Sequence, residues 1–212
     1  MAEPVVFYTN PQSRARIVRW MLEEVGQPYR TEVLSYGEAG AGGMKSAAFL
    51  AVNPMGKVPA IAHRGVVVTE CAAICAYLAD AFPEAGLAPP SGDPLRGTYY
   101  RWLFFAAGPL EQASTNRAMG WEAPADRARM LGYGSYAQTL DALEGAIDGR
   151  DYLVGEGFTA ADVYVGSLLN WGMMFGMMDK RPAFEAYVAR LLNRPNCVRA
   201  NALDDALAAA PS

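Results

Sequence analysis

The chain has 212 residues and a formal net charge of −4, from 18 Lys and Arg against 22 Asp and Glu. Its hydrophobic content of 52% is too high for a disordered chain, and its 19% of charged residues is too high for a membrane protein. An acidic surface argues against nucleic acid as a partner. The sequence therefore predicts one large or two small folded domains with a sizeable core.

Three features bear on the compartment. The N-terminus, Met1 to Pro4, carries an acid where an export signal carries positive charge. The most apolar stretch, from Val163 to Met178, is interrupted by polar residues and is shorter than the ~20 residues of a membrane span. The three cysteines have no zinc spacing and suit a reducing compartment. We expect a cytoplasmic protein that does not contact membranes.

The pair Cys71 and Cys75 is the only candidate for a metal site. Four residues apart on a predicted helix, the two thiols lie on one face, but no second pair of ligands follows. Since cysteine is among the most buried residue types, we assign both to the core and predict no metal.

The first segment alternates strands and helices. Residues 4–9 are rich in β-branched and aromatic side chains and predict a strand that stops at Asn10-Pro11. Ser13 then stands at the expected N-cap of a helix whose apolar residues repeat with helical spacing. A second strand over 29–34 and a glycine-rich connection precede a short helix at 46–51.

A hairpin and a helix complete this segment. The runs at 57–61 and 66–69 predict two antiparallel strands around a turn in which His63 is expected to be exposed. Residues 70–82 have helical spacing and end before a proline. Residues 1–82 therefore predict the order βαβα followed by ββα.

The composition changes after residue 82. Residues 83–93 are rich in proline and resemble a linker. Beyond them no segment resembles a strand, and the patterns predict helices that begin at Asp93 and Thr159 and helices over these ranges: 125–147, 182–193 and 196–209.

The helix that begins at Thr159 has a strong start signal. Thr159 and Asp162 have the spacing of a capping box, and we assign both to folding and not to catalysis. The fold class is therefore α/β plus all-α, with an N-terminal domain over 1–82, a linker over 83–93 and a helical domain over 94–212.

Five blocks of the sequence, in this order, resemble the cytosolic glutathione transferase family: Pro11-Gln12-Ser13-Arg14, 19–26, 53–60, 69–80 and 158–162. Each block is weak by itself, but five in register are a strong signal. The resemblance implies a thioredoxin-like N-terminal domain, an all-helical C-terminal domain and a glutathione site on the first. It also implies a pocket for a small hydrophobic electrophile between the domains, and homodimers.

The resemblance assigns the Val58 backbone to the peptide groups of glutathione. An X–Pro bond is usually trans, but the family implies a cis bond at Val58-Pro59. The Val58 N–H and C=O would then pair with the cysteinyl residue of glutathione as an added strand. Lys57 and Lys45 are the nearest cations for the glycyl carboxylate.

The start of the third helix is the implied site for the γ-glutamyl end. Exposed N–H groups and the positive dipole end favour its carboxylate, and Glu70 would hold its ammonium group. Without the resemblance, Glu70 is an ordinary acid at a helix start. Cys71 stands where the family usually has Ser, and because a thiol is a weak donor, the affinity for glutathione is in question.

Catalysis requires that the glutathione thiol ionise. Lowering its pKa from ~8.5 to about 6.5 takes ~2.7 kcal/mol. One hydrogen bond to the charged form gives roughly 1.5–3 kcal/mol, and a helix N-terminus adds ~0.3–1 kcal/mol. Ser13 is the first candidate for this hydroxyl and Tyr8 the second, and Thr9 and Asn10 stay open. The loop has no cysteine, so we expect the hydroxyl-activated type.

The leading hypothesis is a glutathione transferase, with glutathione as co-substrate. Aromatic and methionine side chains of the helical domain would line the pocket for the electrophile. Cys71 in place of Ser motivates a different class, a non-catalytic carrier of hydrophobic ligands. A glutathione-dependent peroxidase or isomerase is a variant of the first hypothesis.

Overall fold

The computed structural model describes residues 4–37, 40 and 42–210. The chain divides into two compact units, Met1–Leu87 with Arg194–Ser212, and Ala88–Asn193. The predicted domain ends at residues 1 and 212, and the acidic N-terminus at 1–3, lie outside the described residues. The division differs from the predicted boundaries, since residues 194–212 belong to the first unit and not to the helical one.

The first unit contains a mixed sheet and three helices before its C-terminal segment. In chain order its elements are β1 (Val5–Thr9), α1 (Ala15–Val25), β2 (Tyr29–Val33), α2 (Ala47–Val52), β3 (Ala60–His63), β4 (Val66–Thr69) and α3 (Cys71–Ala81). This order confirms the predicted βαβα followed by ββα, the thioredoxin-like arrangement that the resemblance implied.

The sheet has the strand order β2-β1-β3-β4. β1 runs parallel to β2 and antiparallel to β3, and β3 is antiparallel to β4. Successive residues of a strand face opposite sides, which separates the two layers of helices. Phe7 lies beneath the Arg19 guanidinium of α1, 5.0 Å from ring centre to carbon, whereas Tyr8 packs beside Phe49 of α2, with ring centroids 5.5 Å apart.

The prediction that His63 is exposed is wrong. His63 is 3% exposed, closes β3 opposite Val66, and has its Nδ1 3.0 Å from the Tyr77 hydroxyl. Its ring stacks on Phe82 at 5.4 Å. The turn consists of Arg64-Gly65 alone, both with positive φ, which suits a two-residue hairpin loop. His63 therefore belongs to the strand, where the pleat turns it inward.

The second unit is helical, and none of its described residues lies in a strand. It contains α4 (Leu95–Phe105), α5 (Glu111–Ala118), α6 (Tyr136–Ile147), α7 (Ala160–Met174) and α8 (Pro182–Leu192), with a π-helical turn over Ala106–Leu110. The helix expected over 125–147 begins only at Tyr136, behind a capping box at Ser135. Throughout the described ranges, every helix is too short or too polar to cross a bilayer.

The last helix, α9 (Pro195–Ala209), packs against α1. Arg19 and Asp204 form an ion pair at 3.1 Å with both side chains almost fully buried. The other pairs are Arg194 with Glu24, Arg199 with Glu23, and Arg16 with Asp205. These contacts explain why the C-terminal segment joins the first unit. The sequence pattern of α9 predicts a helix but does not identify the helix that carries the opposite charges.

Candidate functional site

The residues that the resemblance singled out meet at one edge of the sheet. Ala60 pairs with Tyr8 of β1 on one side and with Thr69 of β4 on the other. Val58-Pro59, which precedes β3, and Glu70, which follows β4, therefore lie at the edge where β1 ends. Loops from several strands converge there, which is where binding residues commonly lie.

Ser13 lies in the β1–α1 loop and its hydroxyl has two partners. It donates to the Asn10 carbonyl at 2.7 Å and accepts the Ala15 N–H at 3.1 Å. The N-cap residue is Arg14, so the prediction that Ser13 is the N-cap is wrong by one position, although its oxygen still binds an N–H of the first turn. A hydroxyl has one proton. To serve a thiolate, that proton must turn away from the Asn10 carbonyl.

Asn10 organises the same loop. Its side chain is buried, donates to the Leu34 carbonyl at 2.8 Å and accepts the Gln12 N–H at 2.9 Å. These two bonds engage the amide of Asn10, one of the open candidates for contact with the glutathione sulfur, within the protein. The Asn-Pro dipeptide is typical of such a side-chain turn and was the signal available in the sequence.

Tyr8 and Thr9 occupy different surroundings. The Tyr8 ring packs in the cluster on the α2 face that also contacts Val58. The Thr9 hydroxyl is buried and has no hydrogen-bond partner among the described residues. The structure thus packs Tyr8 and Val58 against the same cluster, and places Ser13 beside Asn10 and the start of α1.

The peptide bond between Val58 and Pro59 is cis, as the resemblance implied. Val58 is half-buried, and within the described part of the chain its backbone N–H and C=O take part in no hydrogen bond. The two groups therefore retain their capacity to pair with an added extended peptide.

Asn53 holds the loop before Val58, a role that the sequence analysis missed. Its amide donates to the Lys57 carbonyl at 2.8 Å and its oxygen accepts the Met55 N–H at 3.1 Å. Gly56 has a φ of 57°, and a Cβ there would lie 2.7 Å from the Met44 carbonyl. Asn53 was part of a matched block, but its function became visible only with its partners.

The N-terminus of α3 is open to an anion. Its N-cap residue, Glu70, is exposed, makes no side-chain capping bond and has a φ of 67°. The first N–H groups of a helix need partners outside the helix. A positive φ at a residue other than glycine costs about 1–3 kcal/mol and is concentrated at functional sites.

Cys71 connects the starts of the two helices on this face. Its sulfur donates to the Arg14 carbonyl at 3.7 Å, which ties the first turn of α3 to the first turn of α1. Cys75 is fully buried, and burial raises the pKa of its thiol well above the usual range. In the described residues there is no group of three or more side chains suited to a metal.

Two lysines flank the loop before Val58. Lys45 is exposed and its Nζ donates to the Met55 carbonyl at 2.8 Å, and Lys57 is exposed at the end of the loop. Positive charge is therefore available beside one end of the Val58 segment, and the open start of α3 with Glu70 stands at the same sheet edge.

Known proteins are similar to this chain along most of its length. Residues 13–81 match the glutathione S-transferase N-terminal domain and residues 134–195 the C-terminal domain. A solved sphingomonad glutathione S-transferase complexed with glutathione is 30% identical, covers 94% of this chain and 98% of its own, and has a TM-score of 0.74. A glutathione transferase from Methylococcus capsulatus is 29% identical, covers 95% and 99%, and has a TM-score of 0.77. The glutathione S-transferase GstA of Escherichia coli O157:H7 is 29% identical over 154 residues, 69% of this chain and 73% of the relative.

Proposed function

This chain belongs to the glutathione S-transferase family, and we propose that it uses the Ser13 hydroxyl to stabilise a glutathione thiolate that attacks small hydrophobic electrophiles. The observation that carries the proposal is the meeting, at one sheet edge, of an unpaired backbone segment at Val58, an open helix N-terminus at Glu70 and the Ser13 hydroxyl.

Glutathione would lie extended along Val58, whose N–H and C=O pair with the cysteinyl residue. The γ-glutamyl carboxylate then accepts from the first N–H groups of α3, and the Glu70 carboxylate holds the ammonium group. The glycyl carboxylate points to the other end, towards Lys45 and Lys57. Each end of the tripeptide meets the opposite charge, which orients the sulfur towards the start of α1.

The Ser13 hydrogen bond to Asn10 limits how far the thiol pKa can fall. A hydrogen bond to a charged group contributes about 1.5–3 kcal/mol, whereas the neutral bond that Ser13 gives up contributes about 0.5–1.5 kcal/mol. The helix N-terminus adds about 0.3–1 kcal/mol. At about 1.4 kcal/mol for each pKa unit, the pKa of the glutathione thiol falls by about 1–2 units. A hydroxyl that gave up no other hydrogen bond would lower this pKa further.

The reaction then needs only the thiolate and correct placement of the electrophile. The sulfur lone pair forms a C–S bond with the electrophilic carbon, and with a chloronitroaromatic substrate the chloride leaves with the electrons of the C–Cl bond. Placement beside the reacting carbon contributes as much as ionisation does.

The test is the rate of conjugation of a chloronitroaromatic compound. We expect Ser13→Ala to lower kcat/KM at neutral pH about tenfold, equal to about 1.4 kcal/mol. Tyr8→Phe serves as the matched hydroxyl deletion, and we expect less than about a twofold change because the Tyr8 ring packs on the α2 face. Unchanged rates in both variants would remove the hydroxyl mechanism.

A carrier of hydrophobic ligands is the second candidate, favoured by Cys71 where the family usually has Ser. Calorimetry separates the two: no heat on adding glutathione, together with clear binding of an apolar dye, favours the carrier. Screening of peroxides and isomerisation substrates separates the transferase from its peroxidase and isomerase variants.

The proposed partner is a second copy of the chain. On α4, Phe104 is 72% exposed and Tyr100 37% exposed, with rings 6.5 Å apart. Exposed aromatic patches mark interaction surfaces. We expect a dimer by light scattering and dissociation on Phe104→Glu.

The proposed compartment is the cytoplasm, which three free cysteines suit.

A further inference from the structure

The loop that carries Ser13 is tied at two points to the segment that follows β2. The Asn10 amide donates to the Leu34 carbonyl at 2.8 Å. The Tyr36 hydroxyl donates to the Gln12 carbonyl at 3.0 Å. Both bonds join residues 24 positions apart in the chain, so neither follows from local sequence.

These two ties fix the surroundings of the Ser13 oxygen. The Asn10 carbonyl is the acceptor for both the N–H and the hydroxyl of Ser13, at 3.1 and 2.7 Å. The Gln12 carbonyl, held by Tyr36, belongs to the residue directly before Ser13. Because Asn10 and Gln12 are both anchored, the loop between them and Ser13 has little freedom to move, and the position of the Ser13 oxygen is fixed.

We propose that Asn10 and Tyr36 are positioning residues for the transferase reaction, which hold the β1–α1 loop so that the Ser13 hydroxyl meets the glutathione sulfur. This inference rests on the proposed function. Neither residue needs to touch glutathione. A hydrogen bond weakens steeply as its distance and angle depart from the optimum, so a loosened loop stabilises the thiolate less.

The two residues differ in how cleanly they can be tested. Tyr36 is 52% exposed, so Tyr36→Phe removes the hydroxyl and leaves the core intact. Asn10 is buried and its side-chain amide makes two hydrogen bonds, both of which Asn10→Ala removes, so this variant loosens the loop more but also lowers stability. Tyr133→Phe is the matched control, since the Tyr133 hydroxyl accepts from Asn116 at 3.1 Å in the second unit.

The experiment is the pH profile of kcat/KM for the chloronitroaromatic electrophile at saturating glutathione, which reports the ionisation of the bound thiol, in the wild type and the variants. For Tyr36→Phe we expect the midpoint to rise by about 0.5 pH unit, an approximately threefold loss on the acidic side. At about pH 9.5 the activity should recover fully, because free glutathione is then ionised without help. Asn10→Ala should shift the midpoint further in the same direction, and Tyr133→Phe should not shift it.

A purely structural role would lower activity equally at every pH. A direct contact with glutathione would raise the KM for glutathione without moving the midpoint of the pH profile. Either result, or an unshifted midpoint in Tyr36→Phe, overturns the inference.

Ser13→Ala separates this outcome from failure of the proposed function. If Ser13→Ala shifts the midpoint and Tyr36→Phe does not, only the positioning role fails. If Ser13→Ala leaves the profile unchanged, the Ser13 mechanism and the inference fail together. Adding Tyr36→Phe to Ser13→Ala should give no further shift.

Discussion

Two helix N-termini in this molecule meet the same physical requirement in opposite ways. The start of α7 is closed by the protein's own side chains: Asp162 accepts the Thr159 N–H at 2.8 Å, and the Thr159 hydroxyl accepts the Ala161 N–H at 3.3 Å. The start of α3 has Glu70 at the N-cap with no side-chain capping bond. One N-terminus is capped by side chains of the protein itself, whereas the other has no side-chain cap and is the one that we propose binds glutathione.

The difference extends to burial. Asp162 is fully buried and also accepts the Leu153 N–H at 2.8 Å and the Tyr187 hydroxyl at 2.6 Å. Glu70 is exposed and holds a positive φ. A buried carboxylate needs several hydrogen-bond donors from the protein, whereas an exposed carboxylate is solvated by water and needs no partner within the protein. The comparison predicts that the capping residues of α7 affect stability, whereas the first residues of α3 affect the affinity for glutathione.

The largest expected effect is on α7. Asp162→Ala leaves the Leu153 and Thr159 N–H groups and the Tyr187 hydroxyl buried without an acceptor, and we expect a loss of about 3–5 kcal/mol in the free energy of unfolding. Urea unfolding followed by circular dichroism measures it. The exposed Glu156→Ala is the control and should stay within about 0.5 kcal/mol. A loss of unfolding free energy below about 1 kcal/mol would mean that Asp162 contributes little to the stability of this N-terminus.

The pH dependence of stability sharpens the same point. Burial raises the pKa of Asp162, and its hydrogen bonds from Tyr187, Leu153 and Thr159 only partly oppose this. Because the pKa is higher in the folded than in the unfolded state, the pH-dependent part of the Asp162 contribution to stability is full below the ordinary value of 3.8 and is lost as pH rises through the raised pKa.

Asp162→Asn, which does not titrate, isolates this contribution. The difference in unfolding free energy between the wild type and Asp162→Asn should shift against the wild type as pH rises from about 4 to about 8. Unfolding curves at several pH values measure it. A difference that grows in favour of the wild type over this range would contradict the sign derived from burial.

The matching change on α3 should affect binding and not stability. Glu70→Gln removes the charge proposed to hold the glutathione ammonium, and we expect about a tenfold rise in Kd for glutathione, equal to about 1.4 kcal/mol. The free energy of unfolding should change by less than about 0.5 kcal/mol, because Glu70 makes no capping bond. Thr159→Ala on α7 is the mirror variant and should lose about 1 kcal/mol of stability.

Calorimetry with glutathione and urea unfolding, applied to both variants, test the contrast directly. Equal affinity in Glu70→Gln and the wild type would show that the Glu70 charge does not hold the γ-glutamyl ammonium group.

The smallest expected effect is that of Cys71→Ser. A hydroxyl donates more strongly than a thiol, so the γ-glutamyl carboxylate gains a better partner. We expect about a threefold fall in Kd for glutathione, equal to about 0.65 kcal/mol, with stability nearly unchanged. Isothermal titration measures the change, and Cys71→Ala is the control. Weaker binding in Cys71→Ser than in Cys71→Ala would argue that the hydroxyl does not reach the ligand.

Local patterns were sufficient for the strands, most helices and the capping box. Thr159 and Asp162 are three residues apart, so their bonds depend on one turn of backbone alone. The start of α6 was misplaced because residues 125–135 contain helix-compatible side chains, whereas the capping box at Ser135 determines where the helix begins. The sequence pattern is compatible with a three-residue turn that includes His63, whereas the strand pairing of His63 with Val66 leaves only the two residues Arg64 and Gly65 in the turn.

The sequence by itself determined the order of the elements, the family and the residue types at the proposed glutathione site, because hydrophobic period, caps and the five matched blocks are properties of neighbouring residues. Only the tertiary structure decided which hydroxyl proton is already engaged, that Asn10 and Tyr36 hold the loop of Ser13, and that α9 packs on α1. Those outcomes depend on hydrogen bonds and ion pairs between segments distant in the chain, and a polar side chain in a sequence does not specify which distant partner it will meet.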